Sequence, residues 1–200
     1  MLVNWEGSPP FGRRRTLIDT LNKLAARAVD GQSQCIVEVG TSEAFSPNGL
    51  GNAMLAFVWY AKHIEARVHA VDIREGAVRN CGAIIAEHAP ECRGLAEFHR
   101  MDAFEYAANT LNPHHHDYLP KIDLVYYDGP SEPYSWYVEL HQRWAVKFQE
   151  GAFALFDDTD GRCNYAGKGG ALIPLLLTQG WRQVQVDGEP VFPMVLLEKM

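Results

Sequence analysis

Acidic residues stand at five points where a short apolar run gives way to a turn. They are Glu38 in VEVG, Asp72 in HAVDI, Asp102 in HRMDA, Asp128 in VYYDG, and the pair Asp157 and Asp158 in ALFDDT. A carboxylate accepts hydrogen bonds from hydroxyls and amines and ligates hard cations through oxygen. Each acid alone has an ordinary explanation as a helix cap or loop carboxylate. Five in succession, each closing an apolar run, are hard to account for as solvated surface and point to a site.

The elements that would carry these acids alternate along the chain. Behind an irregular arm at 1–12, Leu17, Ile18, Leu21, Leu24, Ala25 and Ala28 recur at helical spacing and predict a helix over 14–29, stopped by Gly31. The stretch Cys35–Asn52 then reads as strand (Cys35–Val39), glycine turn at Gly40 and helix lead-in, the opening of a nucleotide-binding βαβ unit. Further helices are predicted over Leu50–Ile64, Gly76–His88, Phe104–Leu111, Ser135–Gln149 (ended by Gly151) and Ala171–Gln179. Strands are predicted over Arg67–Asp72, Ala96–Arg100, Ile122–Tyr127, Ala152–Phe156, Arg182–Val186 and Val191–Glu198. Alternating strands and helices imply an α/β, Rossmann-like open sheet, mostly parallel and seven-stranded, with helices on both faces. The short DGEP separation makes the last two strands an antiparallel pair. In such sheets the ligand sits at the carboxyl ends of the strands, where the acids are.

Composition narrows the function. A chain of 200 residues, 47% apolar and 22% charged, suits one domain with a sizeable core. A net charge of −7 argues against general affinity for nucleic-acid backbone. The basic run Arg13–Arg15 reads as a solvated helix start. The four cysteines, Cys35, Cys81, Cys92 and Cys163, form no C-x-x-C pair, and two of them, Cys35 and Cys81, fall on apolar faces, as in a reducing, cytoplasmic setting. The N-terminus, with Trp5, Glu6 and two prolines, is not a signal peptide, and no apolar run approaches membrane-spanning length.

The order of acidic strand ends and the terminal strand pair resemble those of the class I S-adenosylmethionine-dependent methyltransferases. Over residues 32–198 the segments VEVGTSEAFS, VHAVDIREGAV, HRMDAFEYA, IDLVYYDGP and GAFALFDDT are similar to the metal-dependent O-methyltransferases, the catechol and caffeoyl-CoA type and the broad family containing the macrocin type. The resemblance implies an N-terminal arm and helix (1–31) ahead of a cofactor-binding region (32–200), and methyl transfer to an oxygen of a small-molecule acceptor. It implies that Glu38, Val39, Gly40, Thr41 and Ser42 hold the methionine end of S-adenosylmethionine. Asp72 would accept from the ribose hydroxyls, with Ile73 against the adenine and Asp102 and Ala103 at the adenine edge. Asp128 would serve catalysis, facing both the cofactor amino group and a metal, and Asp157 and Asp158 would complete the metal site. Three carboxylates brought together repel, so a divalent cation or raised pKa values must relieve them, and all-oxygen ligands suit Mg²⁺, Ca²⁺ or Mn²⁺.

The sequence departs from that pattern in three places. Ala44 replaces the last glycine of E-x-G-x-x-x-G, SPNGLGN lengthens the first loop, and Ser131 stands where the catechol and caffeoyl-CoA enzymes place a lysine. Serine is a poor base at neutral pH, which leaves Glu132, His141 and the loop histidines His114–His116 as candidates. Those three histidines read as a solvated loop, since adjacent histidines do not readily share one face toward an ion. Asp160 reads as a turn residue. Trp136, Tyr137, Trp144 and Phe148 read as core on the helix after the fourth strand, as does one of Tyr126 and Tyr127, while Tyr134, Tyr165 and Lys168 could line an acceptor pocket. GTSEAF is not G-x-G-x-x-G, and Gly40 to Asp72 exceeds the dehydrogenase spacing, which disfavours hydride transfer. A metal-independent N- or C-methyltransferase, a non-catalytic cofactor-binding protein, and both monomer and homodimer stay open.

Overall fold

The computed structural model describes residues 3–8, 14–29, 31–41, 53–130, 133, 135–160, 165–186 and 194–200. The chain forms two compact units, Met1–Met101 and Asp102–Met200.

The first unit contains α1 (Arg14–Ala25), β1 (Gln34–Val39), α2 (Ala53–His63), β2 (Ala66–Asp72), α3 (Glu75–His88), a 3₁₀ turn (Pro90–Cys92) and β3 (Ala96–Arg100). Helix α1 stops at Ala25, four residues short of its predicted end; Arg27 and Ala28 instead donate to Leu24 and Ala25 in tighter 3₁₀-type bonds. Every residue of α2 from Ala53 to Tyr60 is buried, so this helix is enclosed on all sides rather than amphipathic. Gln34, on β1, donates to the Leu24 carbonyl (3.0 Å) and accepts from the Tyr60 hydroxyl, which ties α1, β1 and α2 together. The arm is pinned by indoles: Trp5 donates to Asn22 (3.1 Å), and Trp59 donates to the Asn4 carbonyl (2.9 Å). Strands β1, β2 and β3 pair in parallel, with Val39 opposite Val71 and Asp72 opposite Arg100.

The second unit contains α4 (Ala103–Leu111), β4 (Ile122–Tyr127), α5 (Ser135–Trp144), β5 (Phe148–Phe156), β6 (Thr159–Asp160), β7 (Ala166–Gly167), α6 (Leu172–Thr178), β8 (Trp181–Val186) and β9 (Val195–Lys199). The predicted helix through Gln149 is corrected here. It ends at Trp144, a 3₁₀ turn covers Ala145–Lys147, and Phe148 begins β5. Phe148 pairs with Ile122, and the register then slips so that Leu124 meets Phe153; Gly151 lies in that bulge rather than at a helix end. The core expectation holds for Tyr137, Trp144 and Phe148, and both Tyr126 and Tyr127 are buried, but Trp136 is only half-buried; the Trp144 indole donates to Thr110 (3.0 Å).

The main sheet has seven strands in the order β3-β2-β1-β4-β5-β9-β8, mostly parallel, with β9 antiparallel to both neighbours. The predicted terminal antiparallel pair is present, with β9 inserted between β5 and β8. A small second sheet, the hairpin β6–β7, was not foreseen.

Candidate functional site

In the first unit the end of β1 turns at Gly40, whose φ of +82° is a left-handed conformation that glycine adopts without a Cβ clash. Its N–H donates to the Val71 carbonyl (2.9 Å), which holds the turn against the end of β2. The next residue, Thr41, donates its N–H to Asp72 Oδ2 (3.0 Å). Glu38 and Asp72 are both buried, at 2% and 6% exposure, so the first two acidic strand ends are not solvated surface.

Asp72 is held by an arginine that the sequence reading overlooked. Arg74 donates its backbone N–H (2.8 Å) and Nε (3.0 Å) to Oδ1 and its Nη2 to Oδ2 (2.8 Å), and Nη2 also reaches the Thr41 carbonyl (3.1 Å). Burial by itself would raise the Asp72 pKa, but the bonds from Arg74 and from the Thr41 N–H outweigh it and hold the carboxyl below its usual range. With Thr41, these bonds use the carboxylate's four acceptor positions, so a diol reaching Asp72 must displace the half-exposed Arg74 side chain. The i, i+2 spacing of Asp72 and Arg74 was the available signal. Ile73 between them is 67% exposed, an apolar side chain left open to a ligand. Cys81 lies beneath; burial, then the charges of Glu38 and Asp72, push its thiol up to about 12 against a partly offsetting Thr41 hydrogen bond. It is an inert core thiol.

In the second unit Asp102 caps α4, its Oδ1 accepting from the Phe104 N–H (2.8 Å), with Ala103 buried behind it. Asp128, Asp157 and Asp158 converge, each offering a carboxylate oxygen within 4.8 Å of the others. Lys168 enters this group: its Nζ lies 2.5 Å from Asp128 Oδ1 and 3.0 Å from Asp158 Oδ2, with the side chain only 7% exposed. The sequence placed Lys168 at the mouth of a pocket; the structure makes it the ammonium of the acidic cluster.

The hairpin β6–β7 delivers this lysine. Thr159 pairs with Gly167; its hydroxyl donates to the Asp157 carbonyl (2.9 Å) and accepts from the Gly169 N–H (2.9 Å). Gly167 has φ +111°, and a Cβ there would stand 1.9 Å from the Asp158 carbonyl oxygen. Asp158 itself is left-handed (φ 46°), a conformation costly for a residue with a Cβ and found where surrounding structure enforces it. Beside the cluster, Tyr137 donates to the Pro130 carbonyl (2.7 Å); burial, then the charges of Asp128 and Asp158, raise its pKa well above the ordinary phenol.

His141 is corrected as a candidate base. It is 4% exposed, its Nδ1 is 2.8 Å from the Tyr127 hydroxyl, and its ring stacks on Phe148 at 4.5 Å. Burial, with a smaller contribution from Lys199, lowers its pKa to about 3, so it is a neutral core residue. The loop histidines are solvated as expected, with His114 and His116 exposed, but His115 and His116 also stack at 4.3 Å and both approach the Asp117 carboxylate, at 3.5 and 3.4 Å. Tyr165 bonds Gln183 (2.8 Å). Ser42, Ala44, Ser131, Glu132, Tyr134 and Cys163 lie outside the described residues, as does the Asp160 side chain.

No protein-family model matches the sequence, and neither does any curated protein sequence. Solved structures do match. An rRNA methylase from Streptococcus thermophilus superposes with a TM-score of 0.61 at 12% identity, over 94% of this chain and 98% of that one. This is the fold of the class I S-adenosylmethionine-dependent methyltransferases. The O-methyltransferase TomG from Streptomyces achromogenes, solved with S-adenosylmethionine, gives 0.57 at 17% identity over 84% of this chain and 74% of that one. The magnesium protoporphyrin IX methyltransferase ChlM from Synechocystis PCC 6803, also with the cofactor bound, gives 0.59 at 14% identity, over 93% and 79%. These neighbours act on very different acceptors, so the likeness extends to the fold and leaves the acceptor to the site.

Proposed function

We propose that this chain transfers a methyl group from S-adenosylmethionine to an oxygen of a small molecule. The observation that carries the reading is the tie between a left-handed Gly40 and a buried, ionised Asp72 through the Thr41 N–H, at the ends of paired strands in a methyltransferase fold. In the first unit, Glu38, Val39, Gly40, Thr41 and Ser42 bind the methionine end, Asp72 takes the ribose once Arg74 swings out, and Ile73 covers the adenine. In the second unit, Asp102 and Ala103 meet the adenine edge and Asp128 takes the cofactor amino group. The cofactor supplies an electrophilic methyl on its sulfonium; the protein orients it and excludes water. The net charge of −7 favours a small acceptor over nucleic acid. A cytoplasmic location belongs to the same reading.

The oxygen donors of Asp128, Asp157 and Asp158 fit a Mg²⁺, Ca²⁺ or Mn²⁺ ion, because among the described residues three converging carboxylates meet one ammonium. A cation held there would lower the pKa of the acceptor hydroxyl and fix its position. A second reading, metal-independent transfer, is favoured by Lys168, which already neutralises part of the cluster.

Calorimetric titration of EDTA-treated protein with S-adenosylmethionine, with and without millimolar Mg²⁺, tests both. Absence of binding in both conditions overturns the methyltransferase reading. Binding that strengthens with Mg²⁺, and loses the gain in Asp157→Asn, supports the metal; methyl transfer insensitive to EDTA supports the second reading.

A further inference from the structure

We infer that His69, Glu97 and His99 form a binding site for a divalent transition metal of the zinc class, on the sheet edge made by β2 and β3. The site lies wholly in the first unit and shares no residue with the proposed methyl-transfer machinery.

The backbone brings the three together. In the parallel register His69 stands beside Glu97 and Val71 beside His99. Side chains alternate along a strand, so Glu97 and His99 share a face, and His69 and Val71 share the same one. Phe98, pointing the other way, packs toward α3 at Gly82. His69 and His99 are buried, at 2% and 8% exposure, whereas the Glu97 side chain is 61% exposed.

The donor atoms converge. His69 Nδ1 lies 3.2 Å from His99 Nε2 and 3.8 Å from Glu97 Oε2, and all three ligand atoms fall within 4.8 Å of one another. Two nitrogens at tetrahedral zinc, each bonded at about 2.0–2.1 Å, stand about 3.3–3.4 Å apart. The imidazoles are therefore already at co-ligand separation, and the exposed Glu97 needs only a rotamer adjustment to close the third bond. The same N–N contact serves as a hydrogen bond when one nitrogen carries a proton, so metal binding would displace that proton.

The chemistry of the set decides the ion. Two neutral imidazoles and one carboxylate carry a single negative charge and leave a fourth position for water. Imidazole nitrogen selects Zn²⁺, Co²⁺ or Ni²⁺ over the Mg²⁺ or Ca²⁺ that an all-oxygen site takes. Glu97 gives the ion a path from solvent, and occupancy would clamp edge strand β3 to β2, the strand that ends in Asp72.

The test is a Co²⁺ titration followed by visible absorption, with Zn²⁺ as competitor, in a His114→Ala/His115→Ala/His116→Ala background that removes the other imidazole cluster. A single equivalent with the intense bands of tetrahedral cobalt is expected, displaced by Zn²⁺ and unaffected by millimolar Mg²⁺. Glu97→Gln should weaken it at least about tenfold, and His99→Gln should abolish it. Zn²⁺ should raise the melting temperature of the background protein by several degrees and not that of the Glu97→Gln form. Absent bands, bands lost to Mg²⁺, or equal affinity with Glu97→Gln would each overturn the site. Glu97 is on the surface, so its variant decides the matter even if His99→Gln fails to fold.

Discussion

Replacing Lys168 with methionine removes the one cation that the described residues place among three carboxylates, and the cost can be worked out. The ammonium is 3.0 Å from Asp158 Oδ2 and nearer still to Asp128 Oδ1. At an effective dielectric constant of about 20, the two contacts are worth about 5.5 and 6.6 kcal/mol gross. Two effects cancel most of that. Desolvating the ammonium costs several kcal/mol, and water screens Asp158, whose side chain is 43% exposed. The net loss expected for Lys168→Met is about 2 kcal/mol, or about 4–8 °C in melting temperature for a chain of this size. Urea denaturation at pH 7 in EDTA reads it directly. Millimolar Mg²⁺ should then stabilise Lys168→Met more than the wild type, because the wild-type cluster carries one less negative charge to neutralise. Lys168→Arg keeps the charge and should lose less than half as much. If Lys168→Met is as stable as wild type in EDTA, or responds to Mg²⁺ no more than wild type, Lys168 is not balancing the cluster and the argument fails.

Three further outcomes are expected. His141 is held neutral down to about pH 3, so between its unfolded value near 6.5 and that point the unfolded chain binds a proton the folded chain does not. Wild-type stability should therefore fall with acidification by about 1.4 kcal/mol per pH unit from this group, and His141→Gln should flatten the slope in denaturation curves across that window. The Asp72 carboxyl is depressed, so its contribution is full above pH 4 and lost as pH falls through its lower folded value; Asp72→Asn should cost about 1–2 kcal/mol at pH 7, a difference that shrinks on titration to pH 3. Gly167→Ala drives a methyl into the Asp158 carbonyl, so it should lower the melting temperature by several degrees and abolish the Mg²⁺ response of the Lys168→Met background.

The periodicities of the chain were enough to determine its alternating architecture, because strand and helix patterns reflect local burial: β3 and β4 match their predicted bounds residue for residue. The acids Glu38, Asp72, Asp102, Asp128, Asp157 and Asp158 were legible for the same reason, each closing an apolar run. Phe148 and Gly151 were misplaced because an apolar residue after a helix fits equally well as another turn or as the start of a strand, and only pairing with Ile122 chooses. The insertion of β9 between β5 and β8 was likewise beyond reach, since hydrogen-bond partners are not written in either strand alone. Contacts made over long separations decided the rest. Lys168 lies 40 residues from Asp128, and His69 lies 30 from His99, so spacing along the chain carries no trace of either meeting. A sequence states which charges and ligands exist; the register of strands and the turn of a hairpin determine which of them face one another.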